Sequence, residues 1–226
     1  MTAEEKILQN LSDTSLTIID HTIPKSRFTG LDLSINNPEL INFDITDPAQ
    51  CQAYIDLVLQ KNKALAAYGG YLEERNLYKN SANFAVGEKE VRNIHLGLDI
   101  WAPAGTAVLV PCDAKVHSFA ENPADGDYGP TIILEHKTAN LVFYALYGHL
   151  SRDSLRNMYK NKPLSRGEVL ANLGFPAENG HYAAHLHFQL ILDLEGSEGD
   201  YPGVCSKSDL NFYRKNCPNP NLLLNI

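Results

Sequence analysis

His185-Leu186-His187-Phe188-Gln189-Leu190-Ile191-Leu192 sets two imidazoles two residues apart in an otherwise apolar run. A β-strand alternates its side chains between two faces, so His185 and His187 share one face while Leu186, Phe188, Leu190 and Leu192 share the other. Upstream, Ile94-His95-Leu96-Gly97-Leu98-Asp99-Ile100 obeys the same rule, with His95, Gly97 and Asp99 on one face and Ile94, Leu96, Leu98 and Ile100 on the other. Gly97 removes the side chain that would stand between His95 and Asp99. Both segments read as one-sided strands whose apolar face enters a core and whose polar face looks into a cleft. Between them, Tyr147-Gly148-His149-Leu150 adds one more imidazole.

Five residues of this kind, in this order, suit a catalytic metal. Two imidazoles and one carboxylate leave a fourth tetrahedral position on zinc open for water. Coordination lowers the pKa of that water to about 7, and the metal also polarises a carbonyl oxygen. Hydrolysis of a peptide needs, in addition, a group that moves a proton to the departing amine and a donor for the oxyanion. Histidines that do not ligate the metal can perform both tasks. The remaining histidines, His21, His117, His136 and His181, have no partner at an informative spacing. His117 and His136 read as ordinary strand positions, and His181, in the loop Asn179-Gly180-His181, is expected to lie near the cleft.

Working outward, strands are expected near Ile94–Ile100, Ala107–Val110, Ala114–Phe119, Thr131–His136, Leu141–Tyr147 and His185–Leu192, with turns at residues 125–129 and 137–140. One helix is expected over Ser151–Lys160. Ahead of this β-rich region, Ala3–Asn10 reads as a short helix and Leu16–Asp20 and Ile41–Ile45 as short strands. Asp47-Pro48 opens a longer helix, with Asp as N-cap and Pro at the first position, running to about Ala67 and closed by Gly69-Gly70. Its buried stripe is expected at Tyr54, Leu57, Val58, Leu65 and Tyr68. The fold class is therefore mainly β within an α+β chain, an antiparallel sheet with a groove across one face. The division is a mixed N-terminal extension over residues 1–83, which covers the groove or builds part of its wall, followed by a β domain over residues 84–226.

From about Val91 to Leu192 the chain resembles the M23 family of zinc metallopeptidases, the lysostaphin-like or LytM-like endopeptidases that cut peptide cross-bridges in peptidoglycan. The first motif of that family is His-x-x-x-Asp and the last is His-x-His, with a further histidine at a strand end between them. The resemblance implies that His95, Asp99 and His187 ligate one zinc ion per chain, and that His149 and His185 form the catalytic pair. It also implies the lysostaphin/LytM-like antiparallel core with its groove over the zinc, a metalloendopeptidase-like activity, and a peptide substrate of the muropeptide type. The segments Ala102-Pro103-Ala104-Gly105-Thr106 and Gly167-Glu168-Val169-Leu170 resemble the family's connections around these motifs. Gln189 departs from the pattern, since many members carry Glu there, which weakens the expected support of a ligand histidine. The segment Tyr71-Leu72-Glu73-Glu74-Arg75-Asn76-Leu77-Tyr78, taken with the first motif, resembles the peptidase-like module fused to kinase-like and aminotransferase-like domains in some large intracellular proteins.

Composition narrows the partners. With 226 residues, 44% hydrophobic and 20% charged, the chain is long enough for one sizeable core. A formal net charge of −8 argues against a nucleic-acid partner, which calls for a basic face, and against simple attraction to an anionic cell wall. No stretch approaches the roughly 18 apolar residues of a membrane span. The opening Met1-Thr2-Ala3-Glu4-Glu5-Lys6 lacks the basic start and apolar run of a secretory signal, so a cytoplasmic location is expected. Cys51, Cys112, Cys205 and Cys217 have no C-x-x-C spacing and are expected to be free thiols, a Cys205–Cys217 bridge being the minority reading. Two further functions stay open beside a peptidase: a zinc hydrolase of a non-peptide amide, and a zinc-stabilised binding module without catalysis.

Overall fold

The computed structural model describes residues 1–12, 17–76 and 91–226. Along the chain run α1 (Ala3–Leu11), β1 (Phe28–Gly30), α2 (Pro48–Asn62), β2 (Ala66–Gly69), β3 (Ile94–His95), β4 (Leu98–Trp101), β5 (Ala107–Leu109) and β6 (Ala114–Asn122). There follow β7 (Gly129–Lys137), β8 (Val142–Gly148), β9 (Pro163–Leu164), β10 (Val169–Asn172), β11 (His185–Ile191), β12 (Val204–Cys205), α3 (Leu210–Asn216) and α4 (Asn221–Leu224). Eight strands form the main sheet in the order β1-β2-β4-β11-β8-β7-β6-β9, antiparallel throughout except for the parallel β1–β2 pair. The chain is thus mainly β, as its patterning predicts. Among the described residues no helix is long and apolar enough to cross a membrane.

The alternation of β11 fixes where the core lies. Leu186, Phe188 and Leu190 are fully buried against Ile100, Ile132, Leu134, Phe143, Ala145 and Tyr147 from the neighbouring strands. Leu170, Ala171 and Leu173 from the β5–β10 layer close this core, and Leu8 of α1 with Leu223 and Leu224 of α4 seal its end. The opposite face of β11 carries His185, His187 and Gln189, all buried.

Several boundaries differ from the sequence-based expectation. The strand expected over Ile94–Ile100 is two strands: β3 pairs with β12 in a small sheet, and β4 pairs with β11 in the main one. The break falls at Gly97, where a β-carbon would stand 3.0 Å from the Phe188 carbonyl oxygen and 2.5 Å from the His187 ring. The faces nonetheless sort as expected, with Leu98 and Ile100 in the main core and Ile94 and Leu96 in a satellite cluster with Cys205. Helix α2 does begin with Asp47 accepting from the amides of Ala49 and Gln50, a cap worth about 1 kcal/mol. It stops early, at Lys63, whose φ of 52° is a left-handed C-cap, and Ala66–Gly69 becomes β2 instead of a last helical turn. Its buried face is Cys51, Tyr54 and Ile55, while Leu57 is exposed. The helix expected over Ser151–Lys160 is a 3-10 turn at Arg152–Leu155 followed by further turns, because the amides of Ser154, Arg156 and Met158 each bond to the carbonyl three residues back. Ile41 and Asn42 end a second 3-10 turn, Pro38–Asn42, and residues 43–45 form no strand. Of the stretch 16–20, Ile19 makes a single antiparallel bridge to Val108, and Leu16 lies outside the described residues. Phe84, where the β-rich region was expected to start, also lies outside them, as do Leu77 and Tyr78. All four cysteines are free.

Candidate metal centre and its comparison with known proteins

Strand register assembles the site. On β11, His187 is paired across to Asp99 of β4 on one side and to Gly148 of β8 on the other, and His185 is paired to Trp101. Directly opposed residues on one face hold their side chains about 4.5–5.5 Å apart, so Asp99 and His187 are brought together by pairing alone. His149 follows Gly148 at the strand end, with a φ of 62° that is uncommon for a side chain other than glycine. That turn is held by His149 N–H donating to Tyr128 O and by Gly174 N–H donating to His149 O. His95 comes in from the small sheet, where β3 is paired to β12. All five sequence-predicted site residues are buried and line one cleft of about 310 Å³.

The hydrogen bonds of the rings decide which nitrogen faces inward. His95 Nδ1 lies 3.0 Å from Gly70 O, and His187 Nε2 lies 2.9 Å from Gln189 Oε1, both acceptors that require N–H on the ring. Gln189 is itself oriented, since its Nε2 donates to Pro202 O at 3.1 Å. The remaining nitrogens, His95 Nε2 and His187 Nδ1, therefore carry lone pairs, and they stand 2.9 Å apart. Asp99 Oδ1 is 3.3 Å from each and has no hydrogen-bond partner among the described residues. Three lone-pair donors converging without a proton between neutral rings repel one another unless a cation sits among them. His95, Asp99 and His187 also form the cluster of buried ligand atoms, all within 4.8 Å of one another, whose chemistry suits a metal ion. The donor set therefore fits zinc.

Protonation agrees with that fit. Burial lowers the His95 imidazole to about 4, with Asp99 acting in the opposite direction. Burial alone would raise the Asp99 carboxyl, but His95, Arg75 and His185 around it hold it well below the ordinary carboxylate range. A neutral imidazole and an ionised carboxylate are the forms that ligate metal.

The other two histidines stand next to this cluster, with ring centroids 4.2 Å apart. His149 Nδ1 donates to Asn179 O at 2.7 Å and His185 Nδ1 to Ala183 O at 2.8 Å, which leaves both Nε2 atoms open as acceptors. His185 Nε2 is 3.8 Å from Asp99 Oδ1, and its ring stacks on Trp101. Burial pushes both imidazoles down, and His149 falls well below the usual histidine range, helped by His185 and His187. Tyr128 and Tyr182 wall the rings: Tyr128 packs against His149 and His187 and donates to Tyr201 O, while Tyr182 meets His149 edge-on and donates to Gly126 O. His181 lines a smaller cavity behind Trp101 and not the main cleft.

Three contributors escaped the sequence reading. Arg75, which is 3% exposed, donates from Nη1 to Asp99 Oδ2 at 2.6 Å. Gly70 O orients His95, and Gln189, noted only as a departure, orients His187. No spacing marks Arg75 or Gly70, because their contacts join segments 24 and 25 residues apart.

Comparison with known proteins gives one family match and several distant structural likenesses. Residues 93–198 match the model of peptidase family M23. No curated protein sequence matches the chain significantly. Among solved structures, the catalytic domain of lysostaphin from Staphylococcus simulans aligns at 20% identity over 63% of this chain and 99% of that one, with a TM-score of 0.38. A zinc-containing peptidase from Vibrio cholerae aligns at 27% identity over 47% of this chain and 30% of that one, with a TM-score of 0.36. An M23 peptidase structure from Pseudomonas aeruginosa aligns at 21% identity over 57% of this chain and 43% of that one, with a TM-score of 0.39. This chain spans under half the length of the last two. Residues 93–198, which match the model of peptidase family M23, carry all five histidine and aspartate residues of the cleft.

Proposed function

We propose that the chain is a zinc-dependent peptidase of the metalloendopeptidase type, acting on peptide bonds of peptidoglycan-type or other small peptides. The observation that carries this reading is the convergence of His95 Nε2, His187 Nδ1 and Asp99 Oδ1, with tautomers set from outside, beside two further imidazoles that ligate nothing. Zinc held by His95, Asp99 and His187 would supply Lewis acidity, polarising the scissile carbonyl and acidifying water.

The protein's own groups do the rest. His149 is neutral, with Nδ1–H fixed on Asn179 O, so its Nε2 takes a proton from the attacking water and returns it to the departing amine. His185 stands nearer the Asp99 carboxylate, which opposes the lowering of its imidazole by burial, and in its protonated form its Nε2–H would donate to the developing oxyanion. Trp101 stacked on His185, and Tyr128 and Tyr182 around His149, hold both rings in place and limit access of bulk water.

The test is mass-spectrometric product analysis of zinc-loaded protein incubated with cross-linked muropeptides, oligoglycine and a short-peptide library, with His149→Ala as the matched control. Defined peptide fragments absent from the control support the reading and name the bond. Zinc-loaded protein that cleaves none of these, yet hydrolyses small non-peptide amides, would overturn it.

A further inference from the structure

The family match begins at residue 93, yet two of the three ligand residues are oriented by residues that precede it. β2 pairs antiparallel with β4 so that Gly69 lies opposite Asp99. The chain then turns at Gly70, whose φ is 99°, and runs back along β3: Leu72 N–H donates to His95 O, His95 N–H to Glu73 O, and Arg75 N–H to Asn93 O. This strap delivers Gly70 O to His95 Nδ1 and the Arg75 guanidinium to Asp99. Arg75 is itself held on two further sides. Its Nε donates to Glu73 Oε2 at 2.5 Å, and its guanidinium carbon lies 5.8 Å from the centre of the Trp101 ring. Glu73 is anchored in turn by Leu33 N–H, 3.1 Å from Oε1.

We propose that Arg75, braced by Glu73 and Trp101, is a positioning residue of the metal centre, supplied from outside the family domain. This inference rests on the zinc reading above. By occupying Asp99 Oδ2 it leaves the carboxylate one oxygen, Oδ1, for the metal, and fixes the plane in which that oxygen points. A lone positive charge here would repel a divalent ion. Glu73 on the same guanidinium offsets that charge, so the pair acts chiefly through orientation. A planar fork that spans two carboxylates is a property of arginine and not of lysine.

The test uses the full-length protein and reads metal binding, not turnover. Zinc affinity is measured by competition with a chromophoric chelator, and ligand geometry by the visible absorption of the cobalt-substituted form. The variants are Arg75→Lys, Arg75→Gln and the double variant Glu73→Gln/Arg75→Gln, each checked for folding by urea unfolding of the metal-free protein. Loss of an outer partner to a ligand costs about 10- to 100-fold in affinity. Arg75→Gln and the double variant should both weaken zinc by that factor and alter the cobalt spectrum, with Arg75→Lys in between. Because the double variant removes both charges, its weakening assigns the effect to orientation. Zinc affinity within about threefold of wild type and an unchanged cobalt spectrum in folded Arg75→Gln would overturn the proposal. Should Arg75→Gln not fold, the same comparison made on Arg75→Lys decides it. If the wild-type chain takes up neither metal, the zinc reading itself fails, a result the wild-type measurement alone identifies.

Discussion

Replacing Gly97 by alanine tests how tightly the cleft is built. A β-carbon there would stand 2.5 Å from His187 Cε1, 2.6 Å from Nε2 and 3.0 Å from Phe188 O. Carbon atoms in contact settle at about 3.5–4.0 Å, so the ring would have to retreat by about 1 Å. It has nowhere to go without loss, since Nε2 is tied to Gln189 Oε1 at 2.9 Å and the ring packs against Tyr128. Metal–ligand distances tolerate only about 0.2 Å. A displacement of this size would therefore remove His187 from the proposed ligand set. The overpacking itself should destabilise the fold by about 1–3 kcal/mol, partly offset by the lower entropy of the unfolded alanine chain. The expected result is zinc affinity at least about 100-fold weaker, a loss beyond that of an outer partner alone, in a protein that still unfolds cooperatively in urea. Gly30→Ala, where a β-carbon meets nothing within 4 Å, is the control and should bind zinc normally. Zinc affinity of Gly97→Ala within about threefold of wild type would refute the reasoning.

His136 is 1% exposed, and burial lowers it from the ordinary 6.5 to about 4. As pH falls, the unfolded chain takes up this proton first, so the contribution of His136 is complete above about 6.5 and drains away down to about 4, a loss of about 3 kcal/mol. Urea unfolding of His136→Gln against wild type across that window should show the flatter profile in the variant, and parallel profiles would count against it. His149→Ala and His185→Ala should each retain one zinc and lose about 10²- to 10⁴-fold in turnover, as measured by fragment release from the peptide identified above. A variant that loses both zinc and activity would move that histidine into the ligand set. Gln189→Leu strands His187 Nε2–H without its acceptor, and zinc affinity should fall by about 10- to 100-fold in a chelator competition. Unchanged affinity would mean that Gln189 does not orient the ligand.

What could be read from the sequence was what strand geometry carries locally. Alternation along residues 185–192 assigned the apolar residues to the core and the histidines to the cleft, and the register of β11 against β4 and β8 then brings Asp99 and His149 to them. The expected single strand through Gly97 failed because the close approach of Phe188 O and His187 forces the chain from one sheet to another, a tertiary contact with no local mark. Ala66–Gly69 looked helical because four small or aromatic residues after a long helix show no strand period, whereas the left-handed cap at Lys63 had already ended α2. Arg75 was illegible for a different reason. An arginine among Glu73, Glu74 and Asn76 has the sequence surroundings of a solvated surface, and it is the strap's bonding back along β3 that buries it on Asp99.

The most direct test of the centre is zinc stoichiometry by native mass spectrometry on wild type, Asp99→Ala, His187→Ala and His149→Ala. One zinc in wild type and in His149→Ala, with none retained by Asp99→Ala or His187→Ala, is the outcome the proposed centre predicts. Full zinc occupancy in Asp99→Ala or His187→Ala would contradict it.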